Sequence, residues 1–208
     1  MLSHPFTMIV AGPTSCGKTA WVMKLLKNML EKNRYKIVYF YSMKQPLYDE
    51  ISASHPFIKF VKNIDQNIIE NHNPCKKAVI VIDDLMSEAT NNQYICDLFT
   101  KGSHHKNLSV ILLLQNFFCK GNFNRTISLN TQYIVLFKNP RDKTIIRYIA
   151  RQLCPENTSF VNMAYNDATN KPYSYLFIDL KPLTDDRLRY SSNIFEENAT
   201  PRIVYLNG

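Results

Sequence analysis

The stretch that most limits what this chain can become is GPTSCGKT, Gly12 to Thr19. Two glycines with four residues between them, followed at once by lysine and threonine, give the spacing G-x-x-x-x-G-K-[ST] of a phosphate-cradling loop. Each residue type answers to the chemistry. Gly12 and Gly17 let the backbone turn tightly, so that the N–H groups of Thr14, Ser15, Cys16 and their neighbours can face phosphate oxygens, while Pro13, which has no donor, lines the same loop. Lys18 can reach the β- and γ-phosphates of a nucleotide, and the Thr19 hydroxyl is placed to ligate Mg²⁺. Such a loop needs a strand to deliver it and a helix to receive it. Both are legible. Phe6 to Ala11 is a buried-strand run, and Thr19 to Leu30 carries Trp21, Val22, Leu25, Leu26 and Met29 at helical spacing.

The rest of the chain continues the alternation. Strands are expected at Lys36 to Ser42, Ala78 to Asp83, Leu108 to Leu114, Tyr133 to Phe137 and Tyr173 to Leu180. Helices are expected near Asp65 to Asn71 and over Asn91 to Thr100, Pro140 to Leu153, with Pro140 in its first turn, and Asn157 to Ala168. Met43 to Pro74 is otherwise without a clear pattern. Several strands are apolar throughout, which indicates burial on both faces. The expected fold is therefore α/β, a mostly parallel central sheet with helices on both faces, in the manner of P-loop NTPases. Its 208 residues suit one such domain, set here at 1–180. The remainder, 181–208, is mixed and polar with no clear element, and is expected to pack on the core or on a neighbouring subunit.

Bulk properties narrow the setting. A net charge of +8 suits a polyanionic partner such as nucleic acid. No window is long and apolar enough to span a membrane, and the N-terminus lacks a signal-peptide pattern. Cys16, Cys75, Cys96, Cys119 and Cys154 are odd in number and form no C-x-x-C pair, which argues against a disulfide framework or a zinc site and for a reducing, intracellular compartment.

Hydrolysis asks for more than a cradle. AVIVIDDL ends an apolar strand in two acids. Asp83, at the strand's carboxyl end, can hold Mg²⁺, and Asp84 is placed to orient or deprotonate an attacking water. LSVILLLQNFF ends another apolar strand in Gln115, a polar tip suited to sensing the γ-phosphate and the water. Positive charge on the departing phosphate can come from Arg125 or Arg141. Lys143, Arg147 and Arg151 recur every four residues, a stripe that either tracks DNA phosphates or is simply solvated. The adjacent His104 and His105 in KGSHHKN point different ways on any regular element, which disfavours a metal site, so Lys101 to Asn107 reads as a basic loop facing DNA or a neighbour.

GPTSCGKT, VIVIDDLMSE, LFTKGSHHKNLSVILLLQNFF and ISLNTQYIVLFKNPRD together resemble the viral genome-packaging ATPases of the FtsK–HerA superfamily, most of all the poxvirus-like branch also carried by Polinton elements, adintoviruses and virophages. The resemblance spans Thr7 to Leu180. It implies a homo-oligomeric ring, pentamer or hexamer, that uses ATP and Mg²⁺ to pump double-stranded DNA into a preformed capsid in an infected cell, with capsid vertex proteins as partners and no membrane. By motif match it implies Lys18 and Thr19 as the Walker-A pair, Asp83 as the metal acid, Asp84 as the catalytic acid and Gln115 as the sensor. Two positions depart from the pattern. Asp84 stands where many members carry Glu, and His104 precedes His105 where relatives often carry Arg before His, which shifts weight to Arg125. A P-loop small-molecule kinase and a nucleotide-gated DNA-binding switch are the alternatives, and DNA-stimulated hydrolysis without a phosphorylated product separates them from a motor.

Overall fold

The alternation of strands and helices is realised in two units through which the chain weaves. The computed structural model describes residues 2–32, 35–118, 120–195 and 201–207. Cys119, and residues 196–200 and 208 of the expected tail, lie outside the described residues. One unit is made of Met1–Ile9, Thr19–Leu114 and Cys119–Thr131, the other of Val10–Lys18, Gln115–Phe118 and Gln132–Gly208.

The first unit is a parallel α/β assembly. It holds the start of β1 (Thr7–Ala11), α1 (Lys18–Lys32) from Thr19 on, β2 (Lys36–Tyr41), α2 (Pro46–Ser54), β3 (Ile58–Lys62), α3 (Gln66–Glu70) and β4 (Ala78–Asp83). Then come α4 (Met86–Thr90), α5 (Gln93–Asp97), a π-helical turn (Leu98–Gly102), α6 (Ser103–His105), β5 (Leu108–Leu114) and α7 (Asn124–Leu129). Strands β3, β2, β4 and β5 lie in that order and pair in parallel. On the far side of β5 the Val110 N–H donates to the Phe6 carbonyl at 2.8 Å, so β5 sits between β1 and β4 although it follows both in sequence. Every residue of β4 and β5 is buried, as expected of central parallel strands covered on both faces. β3 buries only Ile58 and turns Lys59 and Lys62 toward water, the pattern of a protected edge. In α1 Trp21, Val22, Met23, Leu25 and Leu26 are all buried, so the first half of the helix is covered over about half of its circumference.

The second unit is antiparallel. β6 (Tyr133–Phe137) is followed by α8 (Thr144–Leu153), α9 (Thr158–Ala168), β7 (Tyr175–Asp179), β8 (Tyr190–Ser192) and β9 (Ile203–Tyr205). β6 pairs with β7, β7 with β8 and β8 with β9, all antiparallel. Helix α8 buries Ile145, Ile146, Ile149 and Ala150, and α9 buries Phe160, Val161, Ala164 and Ala168. The Asn157 side chain caps α9 by accepting from the Phe160 N–H.

Several expectations need correction. The helix anticipated from Pro140 begins only at Thr144. The Asn139 carboxamide accepts from the Arg141 and Asp142 N–H groups, and Asp142 from the Thr144 N–H, so these side chains hold residues 139–143 in turns. The segment 101–107, expected as a loop, instead continues the helix through the π-turn to His105. Residues 181–208, expected to hold no element, contain β8 and β9. The unread stretch after Met43 holds α2 and β3.

Candidate functional site

In the second unit, residues 12–17 form the loop between the end of β1 and the start of α1. Ser15 has φ +64° and Gly17 φ +101°, and left-handed residues in such a loop turn successive N–H groups to one side. No side chain fits at Gly12, where a Cβ would lie 2.7 Å from both Cys16 Sγ and Phe137 Cβ. Lys18 Nζ donates to the Gly12 and Pro13 carbonyls at 2.7 and 2.9 Å, bracing the loop across its mouth. An ammonium has three donors, and these two bonds use two of them. Thr14 and Ser15 are exposed at the rim. Burial pushes the Cys16 thiol up from its ordinary value, against the opposing pull of the Lys18 charge. Beneath the loop, the Tyr165 hydroxyl donates to the Phe137 carbonyl and accepts from the Asn139 N–H, both at 3.0 Å, fixing the end of β6.

In the first unit, the carboxyl end of β4 presents Asp83, only 5% exposed. Its Oδ2 accepts from three hydroxyls: Thr19 at 3.1 Å, Tyr39 at 2.5 Å and Tyr48 at 3.3 Å. Thr19 comes from the first turn of α1, Tyr39 from β2 and Tyr48 from α2, so three elements converge on one oxygen. A buried carboxylate is costly unless its lone pairs are used, and hydroxyl donors favour its charged form. Burial first, then the Asp83 charge, raises both phenols above their ordinary range, so they stay protonated donors at neutral pH. Tyr39, Tyr48 and Phe60 form an aromatic cluster around this point, with Tyr48 stacked on Phe60 at 4.8 Å between centroids. The neighbouring Asp84 is exposed and has φ +56°, which ends the strand and turns the second acid out of its line.

The structure thus brings Thr19 and Asp83 together. Arg125 is exposed on α7 of the first unit. Gln115, exposed just after β5, and Arg141, exposed in the 139–144 turns, belong to the second unit with the loop. Arg147 and Arg151 are exposed on α8, and Lys143 stands at its N-cap. His104 and His105 are exposed at the end of α6, and among the described residues no cluster of three or more His, Cys, Asp or Glu could hold a metal. Sequence reading missed Tyr39 and Tyr48. The available signal was a tyrosine inside the apolar strand KIVYFY, since a buried phenol needs a partner for its hydroxyl.

A glycine-bounded loop between a buried strand and a helix, with a hydroxyl at the helix start bonded to an acid ending another parallel strand, defines the α/β fold of the P-loop class. More particularly, a model of the family described as "Poxvirus A32 protein" matches residues 1–135, and the chain belongs to that family. It is 24% identical over 132 residues to the "DNA packaging protein OPG160" of Variola virus, covering 56% of this chain and 48% of that protein. The chain therefore spans about half the length of the curated relatives it matches. Among solved structures it resembles the genome packaging NTPase B204 from Sulfolobus turreted icosahedral virus 2. In complex with ATP-gammaS that protein shows 16% identity, 88% coverage of this chain, 96% of that chain and a TM-score of 0.61. In complex with sulfate it gives 15% identity, 88% and 95% coverage and a TM-score of 0.65. A KaiC-like protein from Pyrococcus horikoshii is similar at 13% identity, covering 98% of this chain and 91% of that one, with a TM-score of 0.53. These likenesses support the fold. Among the described residues no helix is long and apolar enough to cross a membrane.

Proposed function

We propose that the chain is an ATP-driven translocase of double-stranded DNA that packages a viral or virus-like genome into a preformed capsid. The observation that carries this reading is the hydrogen bond between Thr19 and the buried Asp83, which joins the hydroxyl of the phosphate loop's motif to the acid of the neighbouring parallel strand system. A binding module needs the loop alone; a hydrolase needs the acid as well. The printed name of the Variola virus relative, a DNA packaging protein, supports DNA as the substrate of the work.

In this reading Lys18 and the backbone N–H groups of residue 12 and residues 14–17 hold the phosphates, with Pro13 shaping the loop. Thr19 and Asp83 fit Mg²⁺, because a hydroxyl and a carboxylate are the hard oxygen donors that ion takes, one or two from protein and the rest from phosphate and water. Bound there, Mg²⁺ would neutralise charge on the phosphates. Asp84, turned out of the strand's line and exposed, orients the attacking water, and Gln115 reports the γ-phosphate. Arg125 or Arg141 supplies the cation for the departing phosphate. Both are exposed, which suits delivery to a neighbour's site in a homo-oligomeric ring of five or six subunits. Double-stranded DNA and capsid vertex proteins are the partners, in the infected cell. The domain is 1–180, with 181–208 packing on that core or on a neighbouring subunit.

The test is ATP hydrolysis by purified protein with and without long double-stranded DNA, beside the Asp84→Asn variant. DNA stimulation that vanishes in a variant still able to bind ATP is the expected result. Absence of stimulation at every protein and DNA concentration would remove the motor reading.

A further inference from the structure

The turn at Lys171–Ser174, within the second unit, runs against local preference. The Ser174 N–H donates to the Lys171 carbonyl at 3.3 Å, and Pro172 occupies the second position, where its fixed φ fits. The third position then has φ +62°, and the residue there is Tyr173. Turns of this form place glycine or asparagine at that point, because a bulky side chain pays backbone strain in the left-handed region. The turn is held shut regardless: Ser174 Oγ donates to the Lys171 carbonyl at 2.7 Å and accepts from the Lys171 N–H at 3.2 Å. A strained aromatic fixed by its surroundings is a reason to ask what the ring does.

The ring leans on the phosphate loop. A Cβ placed on Gly17 would lie 3.1 Å from Tyr173 Cδ1, so Tyr173 touches the loop glycine itself. Yet Tyr173 is 73% exposed, so most of its ring faces water. Beside it runs a cleft of about 190 Å³, bounded by Cys16 of the loop, Phe137, Lys138, Asn170 and Lys171. The cleft joins an aromatic floor to amide and ammonium groups and opens onto the loop that would hold phosphates.

We propose that Tyr173 is the stacking platform for the base of the bound nucleotide, and that the Asn170 carboxamide reads the edge of a purine. The inference rests on the phosphate-cradle reading of Gly12 to Thr19 and extends it to the other end of the ligand. An aromatic ring with an open face stacks on a base, and a carboxamide offers the paired donor and acceptor that match adenine. The strain at Tyr173 is then the cost of presenting the ring where glycine would leave none.

The deciding variant is Tyr173→Gly, which removes the ring and relieves the backbone together. Affinity is measured for ATP and for inorganic tripolyphosphate, with the melting temperature recorded in parallel. The expected result is a fold at least as stable as the parent, tripolyphosphate affinity unchanged, and ATP affinity weakened about tenfold or more, the effect of losing a base–aromatic stack. Tyr173→Phe should retain ATP affinity, and Asn170→Ala should narrow the preference for ATP over a pyrimidine triphosphate. Unchanged ATP affinity in Tyr173→Gly overturns the proposal. So does an equal loss for ATP and tripolyphosphate, which would mean that the ring shapes the loop. A parent protein that binds neither ligand would refute the phosphate-cradle reading, and this one with it.

Discussion

Removing one hydroxyl from Tyr39 tests the account of Asp83 more sharply than removing the acid. Tyr39→Phe leaves the ring in place in a fully buried site, so no cavity larger than an oxygen opens. What is lost is the shortest of three hydrogen bonds to Oδ2, at 2.5 Å, leaving Thr19 at 3.1 Å and Tyr48 at 3.3 Å. A hydrogen bond to a charged group contributes about 1.5–3 kcal/mol. The carboxylate is not orphaned, so the larger penalty for an unpartnered buried charge does not apply. With a urea dependence of about 2 kcal/mol per molar, the unfolding midpoint should fall by roughly 1 M, and its slope should not change, because no surface is added. Tyr48→Phe loses the longest bond and should cost about 1 kcal/mol or less. The double variant leaves Thr19 as the one remaining hydroxyl of the three, and should cost more than the two single losses together. Urea titrations of the four proteins measure this directly. A Tyr39→Phe midpoint within about 0.2 M of the parent would refute the claim that this hydroxyl holds the acid.

Lys18→Ala removes the brace to the Gly12 and Pro13 carbonyls; if Lys18 also holds a phosphate as proposed, turnover should fall by roughly 10² or more in a steady-state ATPase assay. If Arg125 acts across a subunit interface, mixing Arg125→Ala with Lys18→Ala protein should restore part of the activity; mixtures that stay inactive at every ratio would place Arg125 elsewhere. The half-buried Cys16 thiol, with its raised pKa, carries little thiolate at neutral pH. Iodoacetamide should therefore modify the exposed Cys75 first, and Cys16 labelling, read by peptide mass, should accelerate as pH climbs past about 9 and slow when nucleotide is added. If the exposed Arg147 and Arg151 contact DNA phosphates, replacing both with alanine should reduce the slope of log affinity against log salt by about 2. An unchanged slope would mark the stripe as merely solvated.

Much of this was legible in residue order because the informative segments carry their own signals. β4, β5 and β6 fall on the bounds expected from uninterrupted apolar runs. The loop declares itself by glycines whose freedom the structure uses, one at φ +101° and one with no room for a side chain. Elements of three to six residues, such as β8, β9 and α7, are too short to show a period. The start of α8 was misplaced because proline suits a first turn, while the competing Asn139 and Asp142 side-chain bonds depend on geometry. Antiparallel pairing of β6 with β7 is invisible where β6 is apolar throughout and β7 is apolar up to its last residue, Asp179. The Tyr48 contact with Asp83 joins residues 35 apart in sequence, and no local pattern encodes it.

The weaving of the chain between its two units has a consequence for the order of synthesis. Residues 10–18 leave the ribosome early, but the side chains that close around them, Phe137 and Tyr173, are made more than a hundred residues later. The parallel unit has all its segments once Thr131 has emerged, while the phosphate loop is still without its neighbours. A nascent chain stopped near residue 131 would thus carry both Thr19 and Asp83 and still lack the side chains that close around the loop. In this sense the loop is written first and assembled last.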